Sequence, residues 1–224
     1  MRLKFSVLVL AVVLGLGAGT AQAVPFLAIS GDPGVLGSIP GPGLEVNDLL
    51  DDIYGAGTTS RDGYYGATIT LSEPATIYFT YRGKEAGFVN AFGVGALEIF
   101  NTGTTPVGTT ITMALGAGVL PFWFTVDTGA GSAANCVSGT DSFGHPCNPD
   151  NVGSAPNFFT SFSGLGTDTS GTTLILFLDD GGGGPDDDNH DDMAIRISTV
   201  PEPGSMLLVG SGLAALWARR RRRA

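Results

Sequence analysis

Apolar and polar residues alternate along much of the middle of the chain. Between Ala75 and Tyr81, the residues Ile77, Phe79 and Tyr81 share one face, and threonine or tyrosine occupies each position between them. A period of two is typical of a half-buried strand. Further segments of strand length, separated by glycine or proline, span 67–71, 87–93, 95–100, 109–115, 119–126, 158–162, 173–178 and 193–198. The pattern predicts an all-β fold, either an antiparallel β-sandwich or a jelly-roll-like domain.

One segment has the spacing of a helix instead. Apolar residues recur there at intervals of three and four, and Gly55 follows them: Val46, Leu49, Leu50 and Ile53. This spacing predicts one short amphipathic helix that ends near Gly55. We interpret the acids on its other face as solvated in preference to metal-binding: Glu45, Asp48, Asp51 and Asp52.

The first 23 residues have the pattern of a secretory signal peptide. Arg2 and Lys4 precede an apolar or small run from 5 to 19, and Ala21-Gln22-Ala23 follows as an A-x-A cleavage site. We expect signal peptidase to cleave after Ala23. The alternative, a permanent membrane anchor, is disfavoured because the apolar run is short.

The last residues of the sequence form a pattern with three parts. Pro201-Glu202-Pro203 is followed by an apolar stretch, 204–218, and then by five arginines, Arg219, Arg220, Arg221, Arg222 and Arg223. As a helix the stretch would span about 22 Å, less than the hydrocarbon thickness of about 30 Å. The arginines would hold this end on the cytoplasmic side, with the body of the chain across the membrane. A plain single-span tail anchor is the alternative.

This tail, over residues 200–224, resembles the PEP-CTERM protein-sorting signal. The resemblance implies that an exosortase, a membrane-embedded transpeptidase-like enzyme, recognises Pro201, Glu202 and Pro203 as substrate elements and cuts near them. The chain would then enter the inner membrane transiently before it is released or transferred outward. Such proteins look like surface or extracellular-matrix proteins of Gram-negative bacteria that make exopolysaccharide. The resulting division is a signal peptide (1–23), a mature domain (24–200) and a sorting signal (201–224).

The predicted mature domain is strongly acidic. It contains four cations, Arg61, Arg82, Lys84 and Arg196, against 20 acids, which gives a formal charge of −16. Nucleic acid is therefore excluded as a partner, because too few cations are present to neutralise phosphates. The charge instead favours divalent cations.

The two cysteines, Cys136 and Cys147, lie in a segment, 129–157, that is rich in glycine, serine, asparagine and proline. This composition predicts a long loop. In an exported chain, two closely spaced cysteines predict one disulfide, worth up to about 3 kcal/mol of stability. A metal site that includes His145 is the alternative, but a structural zinc needs four ligands and this pattern supplies three at most.

An acidic segment lies between the predicted strands 173–178 and 193–198. Carboxylates forced together by a hairpin need a counter-ion or full solvation. Calcium takes six to eight oxygen ligands, so we predict a calcium site formed by Asp179, Asp180, Asp186, Asp187, Asp188, Asn189, Asp191 and Asp192. An EF-hand is excluded, because its required glycine and glutamate are missing. The alternative is an acidic turn that repels other sheet edges, with His190 as a bystander or a hydrogen-bonding residue.

Signals of catalysis are few in this sequence. Only His145 and His190 could serve as imidazole bases, and the sequence has no G-x-S-x-G elbow, P-loop or dinucleotide fingerprint. We therefore predict that the protein is not an enzyme. We expect an exported structural protein associated with biofilm or exopolysaccharide and stabilised by calcium.

Two alternatives assign the protein to a different functional class. The first is a carbohydrate-binding module of the matrix, in which exposed Tyr54, Tyr64, Tyr65 or Trp123 would stack on sugars. The second is a secreted polysaccharide hydrolase, because paired carboxylates are abundant, although sequence cannot show the separation that a glycosidase requires.

Overall fold

The computed structural model describes residues 24–30, 34–40, 49–85, 87–127, 131–149, 155–181 and 190–199. These residues form antiparallel strands in three sheets and one short helix, which confirms the predicted all-β class. Within these ranges, no helix has the length and apolar character needed to cross a membrane. The predicted signal peptide and the predicted C-terminal helix lie outside them.

The largest sheet has seven strands. They are β2 (Val35–Pro40), β3 (Ser60–Tyr65), β5 (Ala75–Gly83), β8 (Thr110–Leu115), β12 (Asn157–Phe162), β14 (Thr173–Asp179) and β15 (Met193–Thr199). Their order across the sheet is β2-β3-β12-β14-β15-β5-β8, and neighbouring strands are antiparallel. The hairpin of β14 and β15 is thus at the centre of the sheet.

Two sheets of four strands complete the β-structure. The first contains β1 (Leu27–Ile29), β4 (Ile69–Leu71), β9 (Gly118–Val119) and β13 (Ser170–Gly171), in the order β13-β1-β4-β9. The second contains β6 (Ala91–Val94), β7 (Leu97–Asn101), β10 (Phe122–Val126) and β11 (Gly131–Ala134), in the order β11-β10-β6-β7.

One face of the seven-stranded sheet packs against both smaller sheets. Burial alternates along the whole of β5, as its sequence predicts. The ring centroids of Phe79 and Phe92 are 5.8 Å apart, and those of Phe158 and Phe122 are 5.3 Å apart, so aromatic contacts join the large sheet to the second small sheet. All three sheets contribute to one core cluster. This layered arrangement is the predicted sandwich.

The opposite face of the large sheet is partly covered by the helix α1 (Leu49–Tyr54). Leu50 is buried in one cluster with Ile175 of β14. The helix ends where the sequence predicts, because Gly55 adopts a φ of 109° and its N–H donates to the carbonyl of Asp51 at 2.8 Å. The predicted first turn, with Val46, lies outside the described residues.

Five strands were not predicted: β1, β2, β3, β11 and β13. The prediction of one long loop over 129–157 is wrong at Gly131–Ala134, which pairs with Phe122–Val126. This strand consists of glycine, serine and alanine, so it lacks the apolar alternation that marks a strand. It forms a strand because it pairs with the strongly apolar strand β10, beside which Ala133 and Ala134 are fully buried.

The predicted disulfide between Cys136 and Cys147 is present. The two Cα atoms are 5.1 Å apart, within the usual range for a disulfide. Because both sulfur atoms are bonded to each other, the alternative metal site with His145 does not form. The Nδ1 atom of His145 instead lies 2.9 Å from an oxygen of Asp141, and its ring packs 4.8 Å from that of Trp123.

Candidate functional site

The acidic segment connects β14 and β15, which pair up to Leu178 and Met193. The antiparallel register therefore places Asp179 and Asp180 beside Asp191 and Asp192. The backbone N–H of Asp180 donates to the Asp192 carboxylate at 2.6 Å. We call these four aspartates the hairpin base; they are the part of the predicted calcium site that the structure describes.

Three carboxylates of the hairpin base are buried. Asp179, Asp180 and Asp191 are 2%, 9% and 5% exposed. Removing a carboxylate from water is costly unless it is paired, hydrogen-bonded or bound to a metal. Three of the four carboxylates at the hairpin base are therefore removed from water, whereas the turn itself lies outside the described residues.

Asn90, immediately before β6, packs against the hairpin base. Its side-chain N–H donates to Asp180 Oδ2 at 2.9 Å and to the carbonyl of Asp192 at 3.4 Å. Asn90 is fully buried, and its Oδ1 atom has no hydrogen-bond partner within the described part of the chain. A buried amide oxygen without a donor is unfavourable, but it is also a type of oxygen that binds calcium.

His190 joins the hairpin base to the large sheet. It is fully buried, with a φ of 58°, and its Nε2 atom lies 2.7 Å from Oδ1 of Asn157 at the start of β12. Its Nδ1 atom lies 3.8 Å from Asp179 Oδ2, and its ring packs 5.2 Å from that of Tyr65. The structure therefore identifies His190 as a hydrogen-bonding residue.

The environment strongly perturbs the protonation of Asp192. Burial raises the pKa of its carboxyl to about 8. The hydrogen bond from the Asp180 N–H lowers this pKa in part, and the negative charges of Asp180, Asp191 and Asp179 raise it further. The Asp192 carboxyl is therefore harder to ionise in the folded protein than in water.

The described residues do not by themselves form a metal site. Among them, no three side chains of Asp, Glu, His or Cys are grouped so that they could hold a metal ion. The other predicted ligands, Asp186, Asp187, Asp188 and Asn189, lie outside the described residues. The oxygen donors of the hairpin base fit calcium in their chemistry, and the base presents them at one end of the central hairpin.

The aromatic residues predicted to stack on sugars are not fully exposed. Tyr64 and Trp123 are buried, and Tyr65 packs against Phe159 at 4.9 Å and against His190. Tyr54 is half-buried, and the Arg61 guanidinium lies over its ring at 4.2 Å. The prediction of an open stacking surface is therefore wrong for Tyr64 and Trp123, whereas Tyr54 and Tyr65 are partly exposed and pack against neighbouring side chains.

Residues 199–223 match the family model of the PEP-CTERM protein-sorting motif. The match includes the predicted sorting motif at residues 201–203 and the arginines at 219–223, all of which lie outside the described residues. The chain is therefore an exported protein that carries a PEP-CTERM motif. The motif directs it through the exosortase pathway to the cell surface. Comparison with curated proteins and with solved structures gave no match.

The sequence did not reveal Asn90 and Asn157 as partners of the hairpin base. They lie far from the acidic segment in sequence, and isolated asparagines carry no pattern. Only the pairing of β14 with β12, and the position of β6 beside the core, bring them to this end of the molecule.

Proposed function

We propose that this exosortase-sorted protein is a non-enzymatic structural protein of the cell surface or extracellular matrix of a Gram-negative bacterium, and that calcium stabilises its hairpin base. In this proposal signal peptidase removes residues 1–23, and exopolysaccharide surrounds the exported domain. The PEP-CTERM motif and the charge of −16 over residues 24–200 support an extracellular role. The observation that carries the calcium proposal is the burial of Asp179, Asp180 and Asp191, with Asn90 bonded to Asp180 through its side-chain N–H and its Oδ1 atom without a partner among the described residues.

Calcium would supply positive charge that offsets the negative charge of the four aspartates in the hairpin base. Carboxylate oxygens of the base and Oδ1 of Asn90 are suitable ligands, and Asp186, Asp187, Asp188 and Asn189 would provide further oxygens from the turn. Burial is the main cause of the raised pKa of Asp192, and an ion at this position would offset both that cost and the added repulsion from the neighbouring aspartates. It would thereby favour the folded hairpin over the unfolded chain.

The positions of the two histidines support a non-enzymatic role. His190 is fully buried and bonded to Asn157. His145 is bonded to Asp141 and packed on Trp123. Each ring is therefore engaged by neighbouring side chains.

Thermal unfolding with calcium or with chelator tests the calcium proposal. At a calcium concentration of about 100 Kd, binding to the folded state adds about 2.7 kcal/mol, which raises the Tm by several degrees. Asp180→Asn should reduce this increase, whereas Glu98→Gln, an exposed acid on β7, should preserve it. Superimposable curves for the parent with and without calcium would refute the proposal.

Fractionation of the producing cells tests the matrix role. The protein should appear in the extracellular polysaccharide fraction, and deletion of residues 201–224 should remove it from that fraction. If the truncated protein reaches the same destination in the same processed form, the sorting tail does not determine its location and this part of the proposal fails.

A further inference from the structure

A groove lies on the outer face of the large sheet, beside the C-terminal end of α1. It has a volume of about 270 Å³ and is open to solvent on one side. The residues that line it come from α1, β5, β14, β15 and the segment after β12: Ile53, Tyr54, Arg82, Ser163, Ile175 and Arg196. This face is distinct from the hairpin base, which lies at one end of β14 and β15.

Most of the cations of the domain are gathered around this groove. Of the four in residues 24–200, Arg82 and Arg196 line the groove, and Arg61 lies over the ring of Tyr54. Within the ranges that the structure describes, none of these three arginines forms a salt bridge with a carboxylate. Because no ion pair in the described part of the chain neutralises these arginines, their guanidinium groups can pair with an anionic group from outside the domain.

Arg82 is held in the groove by an irregularity of the sheet. Ala194 of β15 faces Gly83, but the next residue, Ile195, faces Tyr81, so Arg82 is the extra residue of a β-bulge. Bulges redirect side chains and are frequent beside binding sites. One terminal nitrogen of Arg82 donates to the carbonyl of Asp52 at 3.2 Å, whereas its Nε–H is buried and has no hydrogen-bond partner among the described residues.

Arg196 is the exposed cation of the groove. It lies on β15, opposite Ile175 on one side and Thr80 on the other. Arg61, by contrast, does not line the groove, and it donates to Ser161 and to the carbonyls of Phe162 and Gly164. The two arginines that face the cavity are Arg82 and Arg196.

We propose that this groove binds one carboxylated sugar unit of an acidic polysaccharide. Guanidinium groups bind carboxylates with paired hydrogen bonds, and the exposed Arg196 together with the terminal N–H groups of Arg82 would provide such donors. Ile53 and Ile175 provide an apolar wall for the C–H face of a sugar ring, and the exposed Ser163 hydroxyl can bond a ring hydroxyl. The volume of about 270 Å³ is just below the usual range for small-ligand sites, about 300 to 1,000 Å³, which suits one unit of a chain that continues through the open side.

This site differs from the predicted stacking site, because it recognises charge. A neutral sugar would leave both arginines without an anion, so affinity should depend on the carboxylate. The inference deepens the proposed matrix role by naming the chemical class of the polysaccharide that the domain would bind.

Titration of the purified exported protein with tetragalacturonate tests the proposal. Chelator is present throughout, so that calcium cannot bridge the ligand to the hairpin base. Binding should be observed by calorimetry and by shifts of the groove resonances, and should be absent for the methyl-esterified tetramer. Arg196→Ala, at an exposed position, should weaken binding about tenfold, the loss expected for one charged hydrogen bond. Arg82→Lys should also weaken binding, because lysine keeps the positive charge but lacks the planar guanidinium that bonds both oxygens of a carboxylate. The matched control Lys84→Ala, a cation outside the groove, should bind like the parent.

Four outcomes would overturn the inference. These are equal affinity for the acid and its methyl ester, an Arg196→Ala variant that binds like the parent, equal losses in Arg196→Ala and Lys84→Ala, or inorganic phosphate binding as tightly as tetragalacturonate. The experiments distinguish failure of the proposed groove site from failure of the proposed matrix role. A protein that fractionates with the matrix but does not bind the acid refutes only the groove, whereas one that binds the acid but remains in the cell envelope refutes only the location.

Discussion

Replacing Asp192 with asparagine should stabilise the calcium-free protein at pH 8. The pKa of this carboxyl is raised from 3.8 to about 8 in the folded state, mainly by burial. Between these two values the folded protein retains a proton that the unfolded chain has released, so stability falls as the pH rises through this window. A difference of about four pKa units corresponds to at most about 6 kcal/mol, and relaxation of the hairpin and entry of water should reduce the observed effect to a few kcal/mol. Asparagine avoids the charge and keeps an oxygen that can accept the hydrogen bond from the Asp180 N–H.

Urea unfolding in chelator, from pH 4.5 to pH 8, measures this effect. The parent should lose stability across the range, relative to Asp192→Asn, and the two proteins should converge at the acidic end. Glu98→Gln, which makes the same change of charge at an exposed site, should follow the parent. Parallel curves for the parent and Asp192→Asn would refute the reasoning, because they would show that Asp192 titrates alike in the folded and unfolded states.

Calcium should reverse the order of stability, so that the parent becomes more stable than Asp192→Asn. An ion at the hairpin base stabilises ionised Asp192, so the parent should gain more stability from calcium than Asp192→Asn does. Calcium binding near pH 7 should also release a proton from the parent, which calorimetry in buffers of different ionisation enthalpy detects. The absence of proton release, with calcium bound, would place the ion away from Asp192.

Three further predictions concern stability and are measured by denaturant unfolding. Asn135→Ala should lower the free energy of unfolding by about 3 kcal/mol. The buried Asn135 side chain bonds the N–H and carbonyl of Ile69 and the carbonyl of Leu120, and each of these groups would lose a partner. A decrease below about 1 kcal/mol would contradict this prediction. Reduction of the disulfide, which closes a loop of sequence separation 11, should cost about 3 kcal/mol, and an unchanged midpoint in reductant would contradict the loop-closure argument. Gly93→Ala should cost about 1 to 3 kcal/mol because its methyl group would overlap the ring of Trp123, whereas Gly116→Ala, in open space, should be nearly neutral; equal effects would show that the ring can move aside.

The sequence predicts the fold best where burial is one-sided. Strand β5 alternates over its whole length because one face packs in the core, and that alternation is visible in the sequence. By contrast, β3 contains Arg61, Asp62 and Gly63, and its strand state depends on pairing with β2 and β12. Such strands are specified by their neighbours, so no local pattern could predict them.

The candidate sites, like the strands, were predictable from the sequence only in part. The acidic residues of the hairpin base are conspicuous in the sequence, but their burial depends on Asn90 and on the packing of the hairpin end. The arginines of the groove, Arg82 and Arg196, are 114 positions apart by their numbers. Only the antiparallel pairing of β5 with β15 makes them neighbours.

The position of β15 has a consequence for the order in which the molecule can fold. This strand is the last of the described chain, yet it lies between β14 and β5. Its final residue, Thr199, donates its hydroxyl to the carbonyl of Pro25 at 2.9 Å, across 174 residues of sequence. A chain that leaves the cytoplasm with its N-terminal end first cannot close this sheet until almost all of the domain has crossed. A chain exported in that direction would therefore cross as an open polypeptide, and closure of the sheet on the far side would then oppose its backward movement.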